Sequence, residues 1–143
     1  MELNLSSFHF KGTVRMRWSD CDMLGHVNNA VYLTYAEQAR TEYCEKLEWD
    51  WQKHGLILAK AELLFKKPLL YTDNPFIYVR IAKLGNKSFD MEHIIMDEKG
   101  ETPELVAVIT CVGVMIDYQT SKTFPIPEDV RKKIIDFEQN PEL

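Results

Sequence analysis

Cysteine, histidine and net positive charge are all scarce in this chain of 143 residues. Its three cysteines, Cys21, Cys44 and Cys111, lie far apart and form no C-x-x-C pair, which disfavours a disulfide framework and a thiolate zinc site and fits a reducing, cytoplasmic compartment. The four histidines show no metal-ligand spacing, so the sequence predicts neither a metal nor a cofactor. A formal net charge of −5 disfavours general nucleic-acid binding, which depends on a basic face.

Long apolar runs are also missing. No segment approaches the roughly 20 apolar residues that cross a bilayer, and residues 1–7 lack the basic start and apolar stretch of a signal peptide. We therefore expect neither a membrane segment nor a signal peptide. The chain has no repeat, linker or low-complexity tract, and its 45% hydrophobic and 27% charged residues are typical of a globular protein. One domain over residues 1–143 is the simplest expectation.

Hydrophobic periodicity predicts one strand, one long helix, four more strands and a short closing helix. Residues 10–18 alternate between apolar and polar, as a half-exposed strand does. The helix, residues 30–47, carries a single apolar stripe made of Tyr32, Tyr35, Ala36, Ala39, Tyr43 and Leu47. The remaining predicted elements are strands at 56–67, 76–84, 87–97 and 105–117, followed by a helix at 128–137.

The order of these elements indicates an α+β fold. Short turns such as Gly85-Asn86 favour antiparallel pairing, and the strand at 105–117 is apolar on both faces, as an interior strand is. A five-stranded antiparallel sheet that curls around the long helix would bury both apolar faces. Such a sheet leaves an edge exposed, which a two-fold dimer would cover.

The segment from Arg17 to Asn29, between the first strand and the helix start, concentrates the residues that carry chemistry. It holds two acids, one histidine and two asparagines, namely Asp20, Asp22, His26, Asn28 and Asn29. A helix N-terminus can hold a carbonyl oxygen or oxyanion, and a carboxylate beside it can act as base or nucleophile. The pattern suits acyl transfer. Acids, Asn and Gly are also common turn residues, and Asn28 or Asn29 suits the helix cap, so spacing alone leaves both interpretations open.

From Arg17 to Arg40 the chain resembles the 4-hydroxybenzoyl-CoA thioesterase-type branch of the hotdog superfamily, which includes acyl-CoA thioesterases and plant-type acyl-carrier-protein thioesterases. The resemblance is carried by Asp20-Cys21-Asp22, Gly25-His26-Val27-Asn28-Asn29, Tyr32 and Glu37-Gln38-Ala39-Arg40. It implies a hotdog fold, a sheet of five antiparallel strands around one central helix with a short C-terminal helix. It also implies hydrolysis of an acyl-CoA or acyl-carrier-protein thioester to free acid and thiol. We expect a homodimer, and the sequence leaves open whether two such dimers pair into a homotetramer.

The same resemblance assigns roles to individual residues. Asp22 matches the catalytic carboxylate, which attacks the thioester carbonyl or activates a water, and Asn29 matches the position whose backbone N–H holds the thioester oxygen. His26 and Asn28 would orient these groups, and Tyr32 would line the acyl pocket. Three further residues match positions that meet the phosphates of coenzyme A, with the last of them reaching from another subunit: Lys87, Ser88 and Lys122.

Several alternatives stay open at this point. Asp20 would share the side of Asp22 if the strand continued, and such a D-x-D pair can bind a divalent metal, although no further ligand is near in sequence. Glu37 is an acid on the helix, but Arg40 three residues on makes a structural ion pair the preferred interpretation. On the same fold, His26 could serve a hydroxyacyl-thioester dehydratase, or the domain could bind acyl thioesters without catalysis.

Overall fold

An antiparallel sheet packs against one long helix in this computed structural model, which describes residues 3–143. Met1 and Glu2, on which part of the signal-peptide expectation rests, lie outside the described residues. Two short 3₁₀ turns, Leu5–Ser7 and Trp18–Asp20, flank the first strand. The elements of the described part are β1 (Phe10–Thr13), α1 (Val31–Lys46), β2 (Gly55–Phe65), β3 (Pro75–Leu84), β4 (Ser88–Asp97), β5 (Glu104–Asp117), β6 (Lys122–Thr123) and α2 (Glu128–Glu138).

The strand order in the sheet is β1-β3-β4-β5-β2, and the two-residue β6 pairs with β5. All pairings are antiparallel, as the short turns predict. The expected architecture of five strands, one long helix and a short C-terminal helix is therefore confirmed, with β6 as a small addition. β5 lies inside the sheet, between β4 and β2, in agreement with its two apolar faces.

The apolar stripe of α1 is buried along its whole length, which confirms the helical prediction. Tyr32 is 2% exposed and Tyr43 is fully buried. The helix ends in a Schellman motif, in which the backbone N–H of Trp49 donates to the carbonyl of Cys44 and Glu48 takes a left-handed φ of 54°. Against the helix lie the inward side chains of the central strands, among them Ile77, Val79, Phe89, Met91, His93, Ile95 and Ile109.

The first strand is shorter than predicted. Its ladder runs from Phe10 opposite Val79 to Thr13 opposite Phe76, and β3 itself begins at Pro75. Because the partner strand has no residues beyond that point, β1 cannot continue to residue 18, although its alternating pattern does. The chain turns instead at Trp18–Asp20.

β2 forms one edge of the sheet and stays largely exposed on both faces. Four of its apolar side chains are 38–52% exposed, namely Ile57, Leu58, Leu64 and Phe65. Such an edge is a template for pairing with another chain. No helix within residues 3–143 is long and apolar enough to span a bilayer.

Candidate active site

The loop before α1 folds back on itself as a small hairpin. Asp22 donates its backbone N–H to the carbonyl of His26 at 2.8 Å, and Gly25 donates to the carbonyl of Asp22 at 3.1 Å. Gly25 has φ of +79°, a conformation that glycine adopts without steric cost. One step further out, Cys21 pairs with Val27. The turn therefore brings Asp22 and His26, four residues apart, into direct contact.

The carboxylate of Asp22 is exposed at the tip of this hairpin. Its Oδ1 accepts hydrogen bonds from the backbone N–H groups of Leu24, at 2.8 Å, and His26, at 3.3 Å. This is an Asx turn, which fixes the direction of the side chain. Within residues 3–143, Oδ2 has no hydrogen-bond donor. One oxygen thus holds the loop and the other is free to meet a water or a substrate carbonyl.

The start of α1 differs from the capping prediction. The residue at the N-cap position is Ala30, which makes no side-chain cap. Asn28 instead builds the turn before the helix, since its side-chain oxygen accepts from the N–H of Ala30 and its carbonyl accepts from the N–H of Val31, both at 2.9 Å. The backbone N–H of Asn29 has no acceptor within the described residues. This N–H is therefore available to an incoming oxygen atom.

An open cavity of about 360 Å³ brings these groups together. Its lining consists of Asp22, His26, Val27, Asn29, Tyr32, Phe65, Lys66, Lys67 and Pro68. Four of the predicted site residues, Asp22, His26, Asn29 and Tyr32, thus share one cavity, while Asn28 supports it from the turn. Tyr32 packs edge-on against Phe65 with ring centroids 5.0 Å apart, so the helix and the end of β2 touch each other in the lining of the cavity.

Two lysines of this cavity, Lys66 and Lys67, were not among the residues that the sequence assigned to the site. Lys67 is paired with Asp97 at 3.0 Å and with Glu104 at 2.7 Å, and hydrogen bonds to these two carboxylates, first that of Glu104, raise the pKa of Lys67 to about 12. Lys66 makes no ion pair within the described part of the chain. These lysines lie next to Asp22 because of the place where β2 ends in the folded sheet. No local pattern in the sequence indicates that place.

The three residues assigned to phosphate binding lie together in one chain, so Lys122 is beside Lys87 in its own subunit and not only within reach from another subunit, as the resemblance implied. All three are far from Asp22 of the same chain. Lys87 Nζ is 3.4 Å from the Thr123 hydroxyl, beside Lys122 on β6. Ser88 is the first residue of β4. Phe65, which lines the cavity, is aligned across the sheet with Ile95 of β4, seven residues further along that strand. At about 3.4 Å per residue the two places are roughly 24 Å apart.

The second acid of the loop, Asp20, does not share the side of Asp22. It is 2% exposed, and its carboxylate is bonded to Arg17 and Tyr35. The two carboxylates therefore do not lie on one side of the loop, and the alternative in which they bind a metal as a pair is wrong. The ion pair expected between Glu37 and Arg40 is likewise not formed among the described residues, and within residues 3–143 no group of three or more His, Cys, Asp or Glu side chains is arranged to hold a metal.

Comparisons with known proteins agree with this fold. The sequence model of the Thioesterase-like superfamily matches residues 16–134. A thioesterase of Thermus thermophilus, solved in complex with coenzyme A and zinc, is similar over 94% of this chain and 98% of its own, with 34% identity and a TM-score of 0.83. The long-chain acyl-CoA thioesterase FadM of Escherichia coli is 25% identical over 126 residues, 85% of this chain and 93% of its own. The chloroplastic acyl-acyl carrier protein thioesterase ATL3 of Arabidopsis thaliana is 28% identical over 138 residues, 93% of this chain and 70% of its own. The resemblance to the hotdog thioesterases is confirmed.

Proposed function

Because the chain belongs to the thioesterase-like superfamily, we propose that it hydrolyses an acyl-CoA or acyl-carrier-protein thioester, with Asp22 as base or nucleophile and the start of α1 as the oxyanion site. The observation that carries this proposal is the shared cavity at the helix start. There, two residues line the same space: Asp22, whose exposed carboxylate has one oxygen without a donor within residues 3–143, and Asn29, whose backbone N–H has no acceptor in that range. These are the two groups that acyl transfer requires.

In the general-base form, Asp22 takes a proton from a water whose oxygen forms a bond to the thioester carbon. The carbonyl π electrons move to the oxygen, and the N–H of Asn29 donates to the oxyanion that develops. When the carbonyl re-forms, the C–S bond breaks and the sulfur leaves as a thiolate. A thiol of this kind has a pKa of about 8.5, so the leaving group needs little protonation and a site with one acid residue suffices.

His26 and Tyr32 have supporting roles in this proposal. His26 lines the cavity and donates its backbone N–H to Asp22 Oδ1, so it helps to hold the carboxylate in place. Tyr32 is 2% exposed and forms the wall against Phe65, where an acyl group next to the thioester would lie. Asn28 is proposed to support catalysis through the turn that presents Asn29.

We further propose that the active form is a homodimer joined along β2. The sheet edge offers eleven residues of backbone and the exposed apolar side chains described above. A two-fold axis near Ala61 would pair the two β2 strands antiparallel, which brings Ile57 of one chain opposite Phe65 of the other. Ile57 pairs with Val114 of β5, and Val114 pairs with Ser88 of β4, so Ile57 and Ser88 are aligned across the sheet.

This pairing supports the assignment of Lys87, Ser88 and Lys122 to the carrier phosphates. Within one chain these residues are roughly 24 Å from the cavity. In the proposed dimer, the row of residues that contains Ser88 in the other subunit ends opposite Phe65, which lines the cavity. Substrate would then be held by the phosphate-binding residues of one subunit while its thioester meets Asp22 of the other. The site is complete only in the dimer.

The cysteines are consistent with a protein that works in a reducing compartment. All three cysteines are free, and Cys44 and Cys111 are each 1% exposed. Burial raises the pKa of the Cys44 thiol to about 12, which keeps it protonated and unreactive. We propose that the protein is a cytoplasmic, one-domain enzyme.

The test is release of free thiol from a panel of acyl-CoA and acyl-carrier-protein thioesters, followed with a thiol-reactive dye. We expect Asp22→Asn to lower kcat by at least about 10³-fold, as loss of a base or nucleophile does. Asp50→Asn is the matched control, because Asp50 Oδ1 also accepts two backbone N–H groups in an Asx turn, at 3.1 and 3.3 Å, but lies outside the cavity. Full activity in Asp22→Asn would contradict the proposal, as would enoyl formation from a 3-hydroxyacyl-CoA or tight binding without turnover.

A further inference from the structure

Asp20 is the buried acid of the loop, and it is held by donors from two directions. Its carboxylate accepts a hydrogen bond from the backbone N–H of Arg17 at 2.9 Å and one from the hydroxyl of Tyr35 at 2.8 Å. Arg17 Nε adds a third donor at 3.3 Å. A carboxylate that is 2% exposed needs such partners, because an unpaired buried charge is costly.

The charge of Asp20 survives this burial. Burial alone would raise the pKa of Asp20, but the hydrogen bonds from the Arg17 amide and the Tyr35 hydroxyl, together with the Arg17 charge, hold it below its ordinary value. Asp20 is therefore ionised at neutral pH, so the Tyr35 hydroxyl donates to a charged acceptor, and such a bond is stronger than a neutral hydrogen bond.

The hydrogen bond between Asp20 and Tyr35 connects the two segments that form the proposed site, which are the loop before α1 and α1 itself. Asp20 is two residues before Asp22, and its backbone carbonyl accepts from the N–H of Asn28 at 2.8 Å. Tyr35 projects from α1 about one turn beyond the start of the helix. The bond thus ties the loop that carries the carboxylate to the helix whose start presents the N–H of Asn29.

We propose that Asp20 is a positioning residue, which through its hydrogen bond to Tyr35 fixes the distance between the Asp22 carboxylate and the Asn29 N–H. This inference rests on the proposed function. A misplacement of about 1 Å between reacting groups costs roughly 10²-fold in rate. Substrate binding would change little, because neither Asp20 nor Tyr35 lines the cavity.

The experiment compares kcat and KM of Tyr35→Phe, Asp20→Asn and the double variant. We expect each single variant to lower kcat by about 10- to 100-fold with KM within about threefold of wild type. The double variant should be no slower than the slower single variant, since both remove the same bond. Tyr78→Phe is the control: it removes a hydroxyl that donates to the carboxylate of Glu98 at 2.7 Å on another part of the sheet, and kcat should stay within about twofold.

The outcomes separate this inference from the proposed function. Activity retained in Asp22→Asn defeats the proposed function whatever Tyr35→Phe does. If Asp22→Asn is inactive but Tyr35→Phe keeps the wild-type kcat, only the positioning role is wrong. The role is also wrong if the two single effects multiply in the double variant, or if kcat falls only in proportion to the folded fraction measured by circular dichroism.

Discussion

A single buried histidine should make this fold sensitive to mild acid. His93 lies in the inward row of β4 and is fully buried. Its Nδ1 is 3.3 Å from the carbonyl oxygen of Ile109, and its Nε2 has no partner within the described residues. Burial, and after it the positive charge of Arg40, lowers the pKa of His93 from 6.5 to about 4.

The sign and size of the effect follow from proton linkage. Between pH 6.5 and pH 4 the unfolded chain binds a proton at this histidine and the folded chain does not, so the stabilising contribution is complete above pH 6.5 and is lost as the pH falls towards 4. The free energy of unfolding should drop by about 2 kcal/mol between pH 7 and pH 5 from this group. Burial raises the pKa of Glu138, which opposes the loss, because the folded state then binds its proton first.

The assay is urea unfolding of wild type and His93→Leu at pH 7 and pH 5. Leucine has a similar volume and suits the apolar row, so we expect stability at pH 7 to change by less than about 1.5 kcal/mol. Glu138 titrates in both proteins, and its contribution cancels in the comparison. Wild type should lose about 2 kcal/mol more than the variant on acidification. Protein concentration must be fixed, since assembly adds to apparent stability. Equal losses in the two proteins would refute the reasoning.

Two further predictions concern packing and assembly. Gly113→Ala should destabilise the fold by about 1–3 kcal/mol in urea unfolding, because an added Cβ would lie 2.8 Å from a ring carbon of Phe89 and 3.0 Å from Leu56 Cδ1. Gly100→Ala, where the nearest atom is 3.9 Å away, is the control and should change stability by less than about 0.5 kcal/mol. Leu64→Arg should shift the light-scattering mass towards the 16.7 kDa monomer and raise KM for acyl-CoA, because it places a charge on the proposed β2 interface. An unchanged dimer mass would contradict that interface.

The elements of the fold could be predicted from sequence because each has a local signal. The stripe of α1 repeats every three or four residues, and the inward row of β4 from Phe89 to Ile95 repeats every two. The end of β1 could not be predicted this way. It depends on the position of Pro75, where the partner strand begins, and the alternating pattern of residues 10–18 carries no information about that residue.

The candidate site shows the same division between local and distant information. Asp22, His26 and Asn29 stand within eight residues of one another, so the sequence alone could group them. Phe65 and Lys66, which also line the cavity, come more than thirty residues later and reach it only because β2 ends there. Spacing along the chain cannot report this approach, which the packing of α1 on the sheet creates.

The two aspartates of the loop explain why spacing alone was also misleading within it. A continuing strand would place Asp20 and Asp22 on one side, but the 3₁₀ turn at Trp18–Asp20 breaks the two-residue repeat and rotates Asp20 inward. There its charge is balanced by donors from Arg17 and Tyr35. Among residues 3–143, Asp22 receives donors on one oxygen only, and it lines the cavity. A carboxylate that is fully satisfied gains little by binding a proton or attacking carbon, whereas one with a free oxygen can do either. The proposal that Asp22 reacts while Asp20 positions it rests on that inequality.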